Sequence, residues 1–236
     1  MSLIMDEEQQ QPQTLQEARI LQERLRQGVE TEDRLEKLEC IAGVDVSYTP
    51  GTFQARAAWA VLRLPDLEVI DWAACATEVH FPYVPGFLSF REIPPLLRAY
   101  ERLGTRPDLV VCDGQGIAHP RNFGLACHLG VLLDIPTLGA AKSRLVGEYD
   151  MPDPGRGNWR PLIWGTRTVG AALRTRSGIK PLFVSSGHRV GLASSLDLVL
   201  KLTGRYKLPE TTRAAHALSR AWQAADPESS FTHSWS

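Results

Sequence analysis

Three carboxylates stand where acidic side chains are costly unless they hold something. Asp45 interrupts the apolar run IAGVDVSY (41–48). Strand alternation puts it on one face with Ile41, Gly43 and Ser47, opposite Ala42, Val44, Val46 and Tyr48. A carboxylate among such small neighbours in a central strand loses hydration without gaining a partner. Asp113 closes the short run LVVC and opens an Asp-Gly turn, at the carboxyl end of a strand, where parallel sheets deliver residues to a ligand crevice. Glu92 falls inside the apolar arc of Leu88, Ile93, Leu96, Tyr100 and Leu103, whereas Arg91, Arg98 and Arg102 fall outside it. Taken singly, Asp113 also reads as the first residue of a turn, and Glu92 as an acid complementing a helix N-terminus. Together they form a hard oxygen set suited to Mg²⁺ or Mn²⁺, which orients a water and neutralises charge on a scissile phosphate.

The surrounding elements must bring these groups together. Residues 14–29 place Leu15, Ala18, Leu21, Leu25 and Val29 at helical spacing and predict an added amphipathic helix. Residues 41–48, 55–64 and 67–80 predict three strands joined by Thr-Pro-Gly and Pro-Asp turns, an antiparallel meander. A loop rich in Pro and aromatics, FPYVPGFLSFRE (81–92), leads into a helix running to about Leu103, whose start Pro94 and Pro95 move towards Glu92. A strand over 107–114, a helix over 122–134 and a strand over 136–143 follow. Beyond a Pro/Gly-rich loop (152–158) come strands in PLIWG, TVGAALR and PLFVSS, then helices over 192–203 and 209–224.

Meander, helix, parallel strand, helix, strand is the order of an α/β, ribonuclease H-like mixed sheet flanked by helices, here with an added N-terminal helix. In that order the first and fourth strands are neighbours, so Asp45 and Asp113 converge and Glu92 approaches from its helix. The chain divides into an acidic N-terminal extension with its helix (1–38), a main domain (39–224) and a flexible C-terminal tail (225–236).

Composition sets outer limits. The chain has 236 residues, 43% of them hydrophobic, enough for a sizeable core and too many for a disordered chain. Its formal net charge of −1 excludes a protein that coats nucleic acid by bulk positive charge. That total hides an asymmetry. Residues 1–40 carry −5 and residues 41–155 carry −4, but residues 156–220 carry +10. Such polarity points to a polyanionic partner meeting one side of the molecule. No basic segment precedes an apolar stretch at the N-terminus, and the longest apolar candidate, 129–141, is broken by Asp134 and Pro136. Neither a secretory signal nor a membrane span is expected. Cys40, Cys75, Cys112 and Cys127 form no CxxC pair, which disfavours a zinc site or disulfide framework and fits a reducing, cytoplasmic setting.

The motifs FPYVPGFLSFRE (81–92) and DGQGIAHPRNFGLACHLG (113–130) closely resemble those of endonuclease V, the deoxyinosine-directed repair nuclease family. The likeness continues through AAKSRLVGEY (140–149), KPLFVSSGHRVGLASSLDLVL (180–200) and RYKLPETTRAAHALS (205–219), so it spans roughly residues 41–219. It implies a ribonuclease H-like fold, a Mg²⁺ cofactor that Mn²⁺ can replace, and hydrolysis of the second phosphodiester bond 3′ to a deaminated base. The products would carry a 3′-hydroxyl and a 5′-phosphate.

The resemblance also implies roles. Asp45 and Asp113 match the metal-binding aspartates, Glu92 the third acid, Lys142 the active-site lysine and His216 the histidine near the metal. A lysine there stabilises developing charge or positions the attacking water. On their own, Lys142 reads as an exposed strand-end lysine and His216 as a helix-surface residue. Tyr83 and Pro85 match a strand-separating wedge, since a rigid Pro-flanked aromatic can part bases at a damaged pair. For a lone Tyr-x-Pro the plainer reading is an aromatic core residue beside a turn. Gly86, Leu88, Gly114, Gly116, Leu125 and Leu145 match the base pocket, and His119 a substrate contact. DGQG lacks the Lys-Ser/Thr of a P-loop and the third glycine of a dinucleotide fingerprint. Gln115 stands where many members carry histidine, with both flanking glycines kept.

The partners implied are double- or single-stranded DNA containing inosine, with inosine-containing RNA as the alternative, no membrane, and a monomeric protein. A junction-selective nuclease and a non-catalytic inosine binder are the remaining readings.

Overall fold

A computed structural model of the chain describes residues 11–221. The first ten residues and the tail expected over 225–236 lie outside the described residues. Helix α1 (Leu15–Arg26) precedes strands β1 (Cys40–Tyr48), β2 (Gln54–Arg63) and β3 (Val69–Glu78). Then come α2 (Ser89–Tyr100), β4 (Leu109–Cys112), α3 (Leu125–Leu133), β5 (Thr137–Ala141), β6 (Trp159–Trp164), β7 (Arg167–Leu173) and β8 (Leu182–His188). Helices α4 (Leu192–Lys201) and α5 (Glu210–Ala221) close the described chain.

The eight strands form one sheet in the order β3-β2-β1-β4-β5-β8-β7-β6. β1, β2 and β3 make the expected antiparallel meander, and β4 runs parallel to β1 and to β5. That arrangement follows the ribonuclease H-like order. β8 joins β5 antiparallel and brings the β6–β7 hairpin to the far edge.

One face of the sheet is covered by α1, α2 and α3, which pack Leu21, Leu25, Ile93, Leu96 and Leu129 against Ala42, Val44 and Trp59. On the other face α5 sets Ala214, Ala215 and Leu218 over Ala58, Ala60 and Leu62, while α4 sets Leu196 and Val199 in the cluster of Leu138, Ala140 and Val184. All four cysteines are buried thiols. Among the described residues no helix is long and apolar enough to cross a membrane.

Two local features place the site. α2 begins at Ser89, earlier than its prolines suggest, and runs straight through Pro94 and Pro95. Each proline removes an intrahelical donor, from the Phe90 and Arg91 carbonyls respectively. Tertiary packing compensates: the Trp59 indole donates to the Leu96 carbonyl at 2.8 Å, the Cys75 thiol to the Pro95 carbonyl at 3.1 Å, and Phe90, Ile93, Leu96 and Ala99 are buried. Glu92 is thereby carried in the first turn of a helix docked on the sheet. Across the sheet, Gly43 lets α5 lie directly on β1. A Cβ at residue 43 would sit 2.1 Å from the Thr211 carbonyl oxygen, closer than any side chain tolerates.

Candidate active site

The β1–β4 register pairs Val44 with Cys112, so the next residues, Asp45 and Asp113, emerge side by side at the carboxyl ends of these strands. Asp45 is held from α5. Its Oδ2 accepts a 2.5 Å hydrogen bond from the Ser219 hydroxyl and lies 3.2 Å from His216 Nδ1. Asp113 is held from the end of β5, where the Lys142 ammonium donates to its Oδ2 at 2.5 Å. Glu92 approaches from α2. Burial pushes its pKa up to about 8, and the negative charges of Asp45 and Asp113 add to the rise against a smaller opposing effect from Arg91. Without a cation, then, Glu92 is mostly protonated at neutral pH.

Such a raised acid beside two further carboxylates is what a missing positive charge produces, and oxygen donors of this kind match a hard divalent cation. Among the described residues, no three acidic, His or Cys side chains close on a common point as they stand. Lys142 covers Asp113, while Ser219 and His216 cover Asp45. Each of these contacts engages one carboxylate oxygen, Oδ2, of its aspartate.

Beside the acids opens a cavity of about 350 Å³. Glu92, Asp113 and Lys142 line it together with Tyr83, Pro85, Gly86, Leu88, Gly114, His119, Leu125 and Leu145. Asp45 and His216 are outside this lining, on the α5 side. Gly116 is also outside it. It packs beneath the loop, where a Cβ would lie 1.9 Å from the Ser186 carbonyl oxygen, so it lets the 113–116 loop press onto β8. Tyr83 is 72% exposed and has no core role.

His119 lines the cavity, yet both ring nitrogens are engaged: Nδ1 accepts from the Arg121 backbone N–H at 3.2 Å, and Nε2 lies 3.0 Å from the Gly86 carbonyl. Burial, aided by the Arg121 cation, lowers its pKa to about 4, so the ring is neutral and Nε2 carries the hydrogen. Gln115 clips two cavity walls together, its Nε2 donating to the Ser143 carbonyl at 2.9 Å. Its Oε1 is buried and has no donor among the described residues.

Several residues that support the site from behind carry no clear mark in the sequence. Ser219 has one weak signal, its position three residues after His216 on α5, which turns both towards Asp45. Gln22 and Arg121, which meet at the Gly86 carbonyl, have none. The basic segment divides in two. Arg156 and Arg174 donate to backbone carbonyls, and Arg189 and Arg213 pair with Asp134 and Glu210. Lys207, by contrast, is partly buried, and burial followed by the neighbouring charges of Lys180 and Lys142 lowers its pKa. Of these three lysines, Lys142 is the one that touches the acid cluster.

Comparison with known proteins agrees with this architecture. A model of the endonuclease V family matches residues 23–217. The chain is 53% identical over 211 residues to the endonuclease V of Nostoc punctiforme, covering 89% of this chain and 96% of that one. The crystal structure of endonuclease V from Streptomyces avermitilis superposes with a TM-score of 0.86 at 47% identity, over 89% of this chain and 93% of that one. Ciona intestinalis endonuclease V, in complex with a 24mer DNA containing an inosine followed by a ribo-adenosine, superposes with a TM-score of 0.77 at 28% identity, over 87% and 96% of the two chains. The correspondence runs through nearly the whole sheet and both layers of helices, and this chain belongs to the endonuclease V family.

Proposed function

We propose that the chain cuts DNA at deaminated bases, chiefly deoxyinosine, hydrolysing the second phosphodiester bond 3′ to the lesion and leaving a 3′-hydroxyl and a 5′-phosphate. One observation carries the reading: the cavity is continuous with the acid cluster, so Glu92, Asp113 and Lys142 line the same space as the glycine loop and Tyr83. A base entering that space brings its own backbone to the carboxylates. The inosine-containing DNA held by the Ciona relative supports the same assignment.

Asp45, Asp113 and Glu92 would hold Mg²⁺, with Mn²⁺ able to replace it. When bound, the ion neutralises charge on the scissile phosphate and orients water for attack. Lys142, beside Asp113, offers its ammonium to the phosphate oxygens as charge develops on them. Ser219, by donating its hydroxyl, and His216, from Nδ1, keep Asp45 oriented. Tyr83, backed by Pro85, enters the duplex and holds the strands apart. Gly86, Gly114 and the side chains of Leu88, Leu125 and Leu145 enclose the extruded base, while Gly116 seats the loop that carries Gly114. Gln115 ties the glycine loop to the segment after Lys142 through its hydrogen bond to the Ser143 carbonyl.

A nicking assay tests this with matched DNA and RNA substrates, with and without one inosine, in Mg²⁺ and in EDTA. The expected result is a single nick in inosine-containing DNA that requires the cation. Equal cutting of undamaged four-way junctions, or capture of inosine without any nick, would displace the proposal in favour of a junction nuclease or a passive binder. The RNA arm decides the second substrate, since discrimination at the 2′-hydroxyl rests on contacts these motifs do not specify.

Binding should weaken steeply with salt, because Lys142, Lys180 and Lys207 would displace counterions from the strand. Three such contacts give a slope of log affinity against log salt of about −2 to −3. A slope near zero would return those lysines to the solvated surface.

A further inference from the structure

Helix α1 lies ahead of the catalytic elements, and nothing in the proposed chemistry uses it. Its buried face is nevertheless not purely apolar. Ala18, Leu21 and Leu25 pack into the core, and between them Gln22 is only 1% exposed. Its amide is spent at both ends. Nε2 donates to the Gly86 carbonyl at 3.0 Å, and Oε1 accepts from Arg121 Nε. The same Gly86 carbonyl receives Arg121 Nη2 and the neutral His119 ring at 3.0 Å. Arg121 also stacks its guanidinium 4.1 Å from the centre of the Phe87 ring, and Arg26 of α1 reaches the Arg121 carbonyl at 3.4 Å. The contacts of Gln22, His119 and Arg121 with Gly86 and Phe87 fall on the two residues immediately after Pro85, and Arg26 holds Arg121 from α1.

We infer that α1 is the anchor of the strand-opening loop, with Gln22 as a positioning residue that fixes the base of the wedge through the Gly86 carbonyl. The inference rests on the reading of Tyr83 and Pro85 as a wedge. A ring that must enter stacked bases works against an unstacking cost, and it can transmit force only if its loop does not yield. Tyr83 itself has little packing to hold it. Rigidity has to come from behind, and a buried, fully bonded amide joining two segments supplies it. Removing that amide would leave the Arg121 Nε and part of the Gly86 carbonyl's bonding unsatisfied in a buried place, while the acid cluster and the base-enclosing leucines stay untouched.

The test compares duplex and single-stranded DNA carrying the same inosine, because only the duplex has to be opened. Gln22→Met keeps the length of the side chain and removes both hydrogen bonds. Gln22→Glu keeps an acceptor for Arg121 and removes only the donor to Gly86. For both variants kcat/KM on the duplex should fall about tenfold, with the single strand cut within about twofold of the wild-type rate. Normal cutting of the single strand shows at once that the variant is folded. Equal losses on both substrates, or no loss on either, would overturn the anchor. Tyr83→Ala is run alongside. If it shows a duplex-selective loss and the Gln22 variants do not, the wedge stands and the anchor falls. If Tyr83→Ala shows no such selectivity, the wedge itself fails, and the anchor with it.

Discussion

Asp113→Ala lowers cleavage of an inosine-containing duplex by more than about a thousandfold, yet leaves capture of that duplex close to wild type. The two effects separate because the groups that do each job separate. Asp113 stands at the end of β4 beside Asp45, with its carboxylate on Lys142 rather than on the base-enclosing residues. Its loss removes an oxygen donor from the cation site, and a cation bound by two acids instead of three is weaker and misplaced. The enclosing surface keeps its leucines and backbone, and Lys142, freed from its partner, remains available to phosphate. The fold should tolerate the change. Asp113 is one of the charges that raise the Glu92 pKa, so its removal relieves repulsion inside the cluster. Single-turnover cleavage and fluorescence anisotropy, both in Mg²⁺, check the prediction. Turnover near the wild-type rate would sink the metal assignment. Capture lost from a folded variant would make Asp113 a binding residue instead.

How much of this could be read from the sequence depends on whether the signal was local. The strands were legible because the hydrophobic period changes sharply at residue 41, and β1, β2 and β3 begin and end within two residues of the expected spans. The adjacency of Asp45 and Asp113 followed from topology alone. The start of α2 was misjudged because a proline rule was applied to a helix whose anchors, Trp59 and Cys75, lie on other strands. His216 reaches Asp45 across 171 positions of chain, and nothing in its own neighbourhood marks it; only the resemblance picked it out. Gln22 sits in a run of Gln, Glu and Arg where a buried amide looks like any other surface residue. The +10 of residues 156–220 suggested a single basic face, but its arginines are partly consumed in tying loops together, a use that composition cannot distinguish from phosphate binding.

Glu92→Gln should make the cation-free protein more stable while abolishing its activity. Glu92 ionises near its ordinary value of 4.5 in the unfolded chain and at about 8 in the folded one. Between those values the folded state holds a proton that the unfolded state has released, so raising the pH favours unfolding. The penalty is absent below about pH 4.5, grows through neutrality, and levels off above pH 8, where both states are ionised. Glutamine has nearly the same shape and never ionises, so the variant escapes the penalty. Its advantage in EDTA should be small at pH 5 and on the order of 1–3 kcal/mol at pH 8, a rise in melting temperature of roughly 2–10 °C for a chain of this size. Mg²⁺ should reverse the ranking. A divalent ion that binds only the folded state adds stability in proportion to the logarithm of its concentration over its dissociation constant, and an amide is a poor substitute for a carboxylate in holding it. Wild type should therefore gain more from Mg²⁺ than the variant, most of all at pH 8, where fewer of the molecules have a proton to expel first. Thermal unfolding of both proteins at pH 5, 7 and 8, in EDTA and in Mg²⁺, separates the two effects. A difference between them that is constant with pH would show that Glu92 is not the titrating acid. Equal stabilisation by Mg²⁺ would remove it from the cation site.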